Sequence, residues 1–167
     1  MTLSKMGYGL VLIFFVYTGC ATTGSMRNPL IEAVESGNLD EVKLQLKMGY
    51  GDARHMRDKN GKTLLHLATE YGHANIVQYL LANGMNPDTT DRIGDTTLQI
   101  AAYNGYADIA EQLITAGANV NTANSYGITP LLNALFNQQY DIARLLVRNG
   151  ANIHSKSVNG SPALHVA

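Results

Sequence analysis

The stretch Asp58-Lys59-Asn60-Gly61-Lys62-Thr63-Leu64-Leu65-His66-Leu67-Ala68 decides how this chain is read, because its pattern returns at a fixed interval. Its glycine recurs as Gly61, Gly94, Gly127 and Gly160, each 33 residues after the last. Leu65, Leu98, Leu131 and Leu164 keep step with it, as do Ala68, Ala101, Ala134 and Ala167. A second series, Gly84, Gly117 and Gly150, follows an apolar run at the same interval. Self-similarity of this kind signals one supersecondary unit repeated along the chain, each copy burying its apolar face against its neighbours.

Within each unit the spacing of apolar residues is that of two short helices. In the second helix Ile76, Ile109 and Ile142 recur, then Leu80, Leu113 and Leu146, then Leu81, Ile114 and Val147. All three series are expected to face the adjoining unit. The alanine series supplies small side chains where helices approach, and the second glycine series falls where a helix must end and reverse. The first unit opens at Asn28-Pro29, a capping residue followed by a proline suited to a first helical turn. Gly37 ends its first helix, and a second apolar-periodic segment over 39–48 stops at Gly49. Gly49 to Gly61 is 12 residues where Gly84 to Gly94 is 10, so two extra residues are expected in the loop over 50–57.

The second unit carries Thr63, Leu65, His66 and Ala68 in the order of a Thr-Pro-Leu-His-x-Ala core, with Leu64 in the proline place and Gly72-His73 between the helices. On these residues the chain resembles the ankyrin-repeat family. The resemblance implies an all-α repeat solenoid, a stack of helix-turn-helix units joined by short hairpin-like loops. The ankyrin-like domain spans 28–167, with an N-terminal capping unit over 28–57, units over 58–90, 91–123 and 124–156, and a partial unit over 157–167. The third unit keeps Thr96, Leu98, Ala101 and Gly105 but has Thr97 for proline and Gln99 for histidine. The fourth restores Thr129-Pro130-Leu131, then places Asn133 near the usual His-x-Ala stretch and Gln138 at the interhelical glycine. Those departures are expected to weaken single units without breaking the stack. The fifth shows Gly160, Pro162, Leu164, His165 and Ala167 and breaks off inside its first helix, read either as a sequence cut short or as a half-cap with exposed leucine surface.

Residues 1–19 read as a signal peptide: Lys5, then the unbroken apolar run over 10–17, then Thr18-Gly19-Cys20-Ala21. The run is well short of the roughly 20 residues that cross a bilayer, which makes a permanent transmembrane helix the weaker reading. Gly19-Cys20 resembles the end of a bacterial lipoprotein signal, and that resemblance implies acylation of Cys20 after cleavage before it. Tyr17 departs from the aliphatic residue usual there, and cleavage after Ala21 by an ordinary signal peptidase stays open. Residues 20–27 would then form a polar tether. The expected place is a bacterial cell envelope, lipid-anchored and facing the periplasm, with secretion as the alternative.

With 12 Lys+Arg against 13 Asp+Glu, both signs interspersed, the chain lacks the basic footprint of a nucleic-acid binder. Cys20 is the one cysteine, so neither an internal disulfide nor a multi-thiolate metal site can form. The histidines, His55, His66, His73, His154 and His165, show no metal-ligand spacing, and no paired carboxylates or nucleophile elbow appears. His66 and His165 hold the position where the family binds the backbone of the adjoining turn, and His73 is likewise a family position. No enzyme, cofactor, metal or small-molecule substrate is expected.

The resemblance places a binding face on the turn tips and the groove side of the first helices. Carried onto this sequence, its variable positions are Lys59, Lys62, Glu70 and Tyr71; Arg92, Ile93, Asp95, Tyr103 and Asn104; and Ser125, Tyr126, Ile128, Phe136 and Asn137. Tyr103 and Phe136 stand 33 apart and are expected side by side, in an aromatic patch with Tyr71 and Tyr126; equally, these rings could simply pack over helix ends. Ile93 and Ile128 are expected to be exposed at tips. The chain thus reads as a monomeric, non-catalytic module that binds another protein. That protein could be an envelope partner, a foreign protein met after export, or an envelope enzyme that the module stabilises.

Overall fold

A computed structural model describes residues 28–49 and 53–156. The signal-like segment, Cys20, the tether and the partial fifth unit lie outside them, as do three residues of the 50–57 loop to which the spacing assigns the insertion. The described residues form eight helices: α1 Pro29–Glu35, α2 Leu39–Lys47, α3 Leu64–Glu70, α4 Ala74–Ala82, α5 Thr97–Asn104, α6 Ala107–Thr115, α7 Pro130–Phe136 and α8 Tyr140–Arg148. Extended pairing among them is confined to two isolated bridges, Arg57 with Thr63 and Thr90 with Thr96.

Each first helix starts where a side chain can take up the unpaired N–H groups of its opening turn. Asn28 Oδ1 accepts from Leu30 N at 2.9 Å, with Pro29 in the first turn. Thr63, Thr96 and Thr129 stand in extended conformation with hydroxyls accepting from His66, Gln99 and Leu132. In α3 and α5 the box is closed from the other side, since His66 Nδ1 and Gln99 Oε1 accept the threonine's own N–H. In α7 the third position is Leu132, whose side chain cannot return the bond, so that cap is single.

The helices pack in two layers. α3 packs on α1 and α5, and α5 on α7; in the outer layer α4 packs on α2 and α6, and α6 on α8. The periodic side chains make this contact: Leu65, Leu98, Ala68, Ala101, Ala134, Ile76, Ile109, Leu80, Leu113 and Leu146 are all fully buried. The third series meets expectation only in part, Leu81 and Ile114 packing against the core from its margin and Val147 standing outside it. Leu81 and Ile114 are only half-buried and Val147 is 46% exposed, because each sits one residue, about 100° of helix, past the buried Leu80, Leu113 or Leu146. Along the loop edge, Asn119 N donates to Asp88 Oδ1 and Asn152 N to Asn121 Oδ1, linking successive loops.

The second helices use a different device. His73, Tyr106 and Gln139 occupy their capping positions without a side-chain cap bond. Each side chain instead lies over the interhelical glycine of the preceding unit, so that a Cβ on Gly37, Gly72 or Gly105 would meet His73, Tyr106 or Gln139 at 2.7–3.0 Å. His73 is fixed there by a bond of its Nε2 to Glu35 O at 3.0 Å. Gln138 takes the equivalent backbone turn with φ 59°, the one non-glycine residue with positive φ among those described.

Two stability outcomes follow from this packing. Leu113→Ala is expected to lower unfolding free energy in a urea titration by about 2–5 kcal/mol, and Val147→Ala by less than about 0.5 kcal/mol. Gln138→Gly should raise it by roughly 0.5–1 kcal/mol, the relief of a left-handed side-chain clash less the added freedom of the unfolded chain. Gly37→Ala should lower it, having both the positive φ and the fixed His73 ring against it.

A candidate protein-binding groove

The tips are built by one carboxyl or amide oxygen each. Asp58 Oδ1 accepts from Asn60 N and Lys62 N, Asp91 Oδ1 from Ile93 N and Asp95 N, and Asn124 Oδ1 from Tyr126 N and Ile128 N. Backbone bonds close each hairpin at 2.9–3.0 Å, from Asp58 N to Lys62 O, Asp91 N to Asp95 O and Asn124 N to Ile128 O. Successive tips are then tied through Arg92 N to Asn60 O at 3.1 Å and Ser125 N to Ile93 O at 2.9 Å. Arg57 Nη1 donates to Gly61 O and Thr90 O, both at 2.7 Å.

At the root of the tips, buried side chains reach from one unit to the next. His66 Nε2 meets Asp95 O at 3.1 Å, and Gln99 Nε2 donates to Ile128 O at 2.6 Å. Because His66 Nδ1 accepts from Thr63 N and lies 2.7 Å from its hydroxyl, the network assigns the ring hydrogen to Nε2, which donates to Asp95 O. Burial holds the His66 pKa below its ordinary value, opposed by the bond to the Asp95 backbone and by the Asp91 charge. Asn133 Nδ2 adds a bond to Gln99 O at 3.3 Å.

Between the tips and the inner helices lies a cavity of ≈ 690 Å³ centred on the third unit. Of the expected positions, Lys62, Glu70, Arg92, Ile93, Asp95, Tyr103, Asn104, Tyr126 and Ile128 line it. Lys59, Tyr71, Ser125, Phe136 and Asn137 stand outside its lining. Tyr103 and Tyr126 are each 58% exposed and Ile93 44%. Ile128 is not the exposed tip residue expected: it is half-buried against the core, its N–H and carbonyl tied to Asn124 and Gln99. Asn137 donates through Nδ2 to Asn133 O at the end of α7, and Tyr71 stacks on His73 with ring centroids 6.2 Å apart. Phe136 is exposed but does not join Tyr103 in the cavity wall. Asn60, Asp91, Gln99, Ile100, Asn124 and Asn133 also line the cavity. The signal that could have found Asp91 and Asn124 was the Asp/Asn-x-x-Gly spacing at each tip.

Two of the charges in the groove match one another directly. Lys62 Nζ pairs with Glu70 Oε1 at 2.7 Å. Asp95 is half-buried, its Oδ1 accepts from Asn124 Nδ2 at 2.7 Å, and desolvation raises its pKa against that bond. Among the described residues no group of three or more His, Cys, Asp or Glu is arranged to hold a metal, and no helix is long and apolar enough to cross a membrane.

This arrangement of capped inner helices and tied tips agrees with a family model for ankyrin repeats, which matches residues 8–91 and 83–157. The chain belongs to the ankyrin-repeat family. Similar ankyrin-repeat stretches occur in human protein phosphatase 1 regulatory subunit 27, 47% identical over 62 residues, which is 37% of this chain and 39% of the relative. The mouse protein of that name is 46% identical over 62 residues, again 37% of this chain and 39% of the relative. The putative ankyrin repeat protein YahD of Escherichia coli K12 is 41% identical over 59 residues, 34% of this chain and 29% of the relative. This ankyrin-repeat chain therefore spans less than half the length of the curated relatives it matches, a likeness of about two units.

The lowered pKa of His66 makes stability depend on pH with a definite sign. The fold favours neutral imidazole, so this contribution is complete above the unfolded value of 6.5 and is lost as pH falls from there through the folded value. Asp95, raised above 3.8, acts in the opposite sense, losing stability as pH rises through its folded value. Glutamine already performs the bridging role at Gln99, so His66→Gln should fold. The urea midpoint of the parent chain should fall relative to His66→Gln as pH drops below 6.5. The shared Asp95 cancels in that difference, and parallel midpoints across the range would refute this account of His66.

Proposed function

We propose that this chain is a non-catalytic adaptor, held as a monomer at a bacterial cell envelope by an acylated Cys20, whose groove grips an exposed segment of another protein. The observation that carries the binding reading is the groove itself. Its walls present Ile93, Tyr103 and Tyr126 outward while the backbone beneath them is fixed by the tip and root hydrogen bonds. A backbone held in this way loses little further freedom on binding, which favours affinity, and tyrosine is among the residues enriched at interface hot spots. The envelope reading rests on the apolar run over 10–17 followed by Gly19-Cys20. Two acyl chains would suffice for stable anchoring.

The human and mouse relatives, named as regulatory subunits of a phosphatase, favour one narrower version in which the gripped protein is itself an enzyme. Here that version takes the form of an accessory subunit that stabilises or positions an envelope enzyme.

Two measurements on the chain with its own N-terminus test the proposal. Intact mass should show a mature chain beginning at Cys20 and heavier by acyl groups, and Cys20→Ser should shift it from the membrane to the soluble fraction. An unmodified chain cut after Ala21, or found outside the producing cell, would replace anchoring with export. A photo-crosslinker at Ile93 should trap one protein at a defined mass, with yield falling at least tenfold in Tyr103→Ala/Tyr126→Ala. Undiminished trapping in that variant would move the binding face away from the groove.

A further inference from the structure

We infer that the groove receives its partner through a lysine or arginine side chain on an extended segment, the cation resting on the Asp95 carboxylate beside the rings of Tyr103 and Tyr126. This rests on the groove-binding reading above and names the chemistry of the segment.

Five charged side chains line the cavity, and they are not equally free. Lys62 and Glu70 satisfy one another at 2.7 Å. Asp91 spends Oδ1 on two backbone N–H groups and belongs to the scaffold of its tip. Arg92 is exposed and its stem lies over the second unit's tip, its Cγ 3.0 Å from where a Cβ on Gly61 would stand. That leaves Asp95. One of its oxygens accepts from Asn124, and among the described residues no lysine or arginine pairs with the other. Lys62 acts on it only at longer range, while burial and the Asp91 charge both disfavour its ionised form.

A half-buried carboxylate lacking a counter-ion is offset most effectively by an incoming cation with donors to spare. The two exposed tyrosines in the same cavity supply what such a cation uses next, an electron-rich ring face and apolar surface for the methylene stem. Ile93 and Ile100 extend the apolar wall, and Asn104, whose exposed side-chain amide makes no hydrogen bond among the described residues, can serve the amides of an extended backbone. An acidic segment would meet Asp95 and Asp91 with Arg92 as its single uncommitted cation, so the charge balance of the cavity selects the basic one.

The test uses a random twelve-residue peptide display library against the full chain, followed by synthetic copies of the enriched sequences. The enriched set should share one Arg or Lys. Affinity should fall at least tenfold when that residue is replaced by norleucine or when the chain carries Asp95→Asn, which keeps the shape and the bond from Asn124. Arg144→Ala, a cation on the outer helix α8 and outside the groove, should leave affinity within about twofold. Peptides without a basic residue, or acidic peptides lost on Arg92→Ala, would overturn this inference while leaving the groove reading intact if Tyr103→Ala/Tyr126→Ala still abolishes them. Peptides indifferent to every groove substitution would overturn both, and failure to enrich any sequence would overturn the basic-segment inference.

Discussion

The bond from a buried side chain at the start of one unit to a backbone carbonyl in the next is the constraint on which the rest of this structure depends. His66 makes it to Asp95 O and Gln99 makes it to Ile128 O, and each acceptor is the residue immediately before the next helix cap or its hairpin partner. One contact therefore performs three tasks. It gives a buried side-chain donor the partner it would be costly to lack, sets the rise from unit to unit, and aims the next threonine at its own helix. The loop-edge bonds of Asn119 and Asn152 repeat the tie on the far side, so the second, third and fourth units are joined at two edges with apolar packing between.

Because these ties run through backbone atoms and through positions fixed by the period, they leave the tip side chains unconstrained. Arg92, Ile93, Ser125 and Tyr126 contribute N–H and carbonyl groups to the lattice while their side chains remain exposed. A fold that holds its loops by main-chain bonds can present chemistry there without disturbing its own stability. That division is what permits the groove to be read separately from the scaffold.

Much of the scaffold was legible because its causes are local or periodic. Asn28, Thr63, Thr96 and Thr129 announce helix starts through capping chemistry, and Leu80, Leu113 and Leu146 announce the core through spacing. Val147 was misplaced because a list of apolar positions does not say where the buried stripe ends, and one residue of helix rotation carries a side chain out of it. Ile128 was misplaced because its burial depends on Gln99 reaching across from another unit, a long-range fact absent from its own neighbourhood. The roles of Tyr106 and Gln139 share the 33-residue step of His73, yet tyrosine and glutamine do not resemble histidine as letters, only as flat groups covering a glycine. The half-buried state of Asp95 was invisible for the same reason as that of Ile128.

The stacking order has a consequence for cooperativity. Each inner helix packs on its immediate neighbours, so stability passes along the array one interface at a time and fraying proceeds inward from an end. The cavity breaks that sequence, since it is walled by the second unit through Lys62 and Glu70, the third through Asp95 and Tyr103, and the fourth through Tyr126 and Asn133. Any molecule lying in it joins the second unit to the fourth, which share little packing of their own. Occupancy would turn a chain of nearest-neighbour couplings into one with a longer-range link, melting as a block where the empty array unzips, so the guest becomes a lengthwise splint for its host.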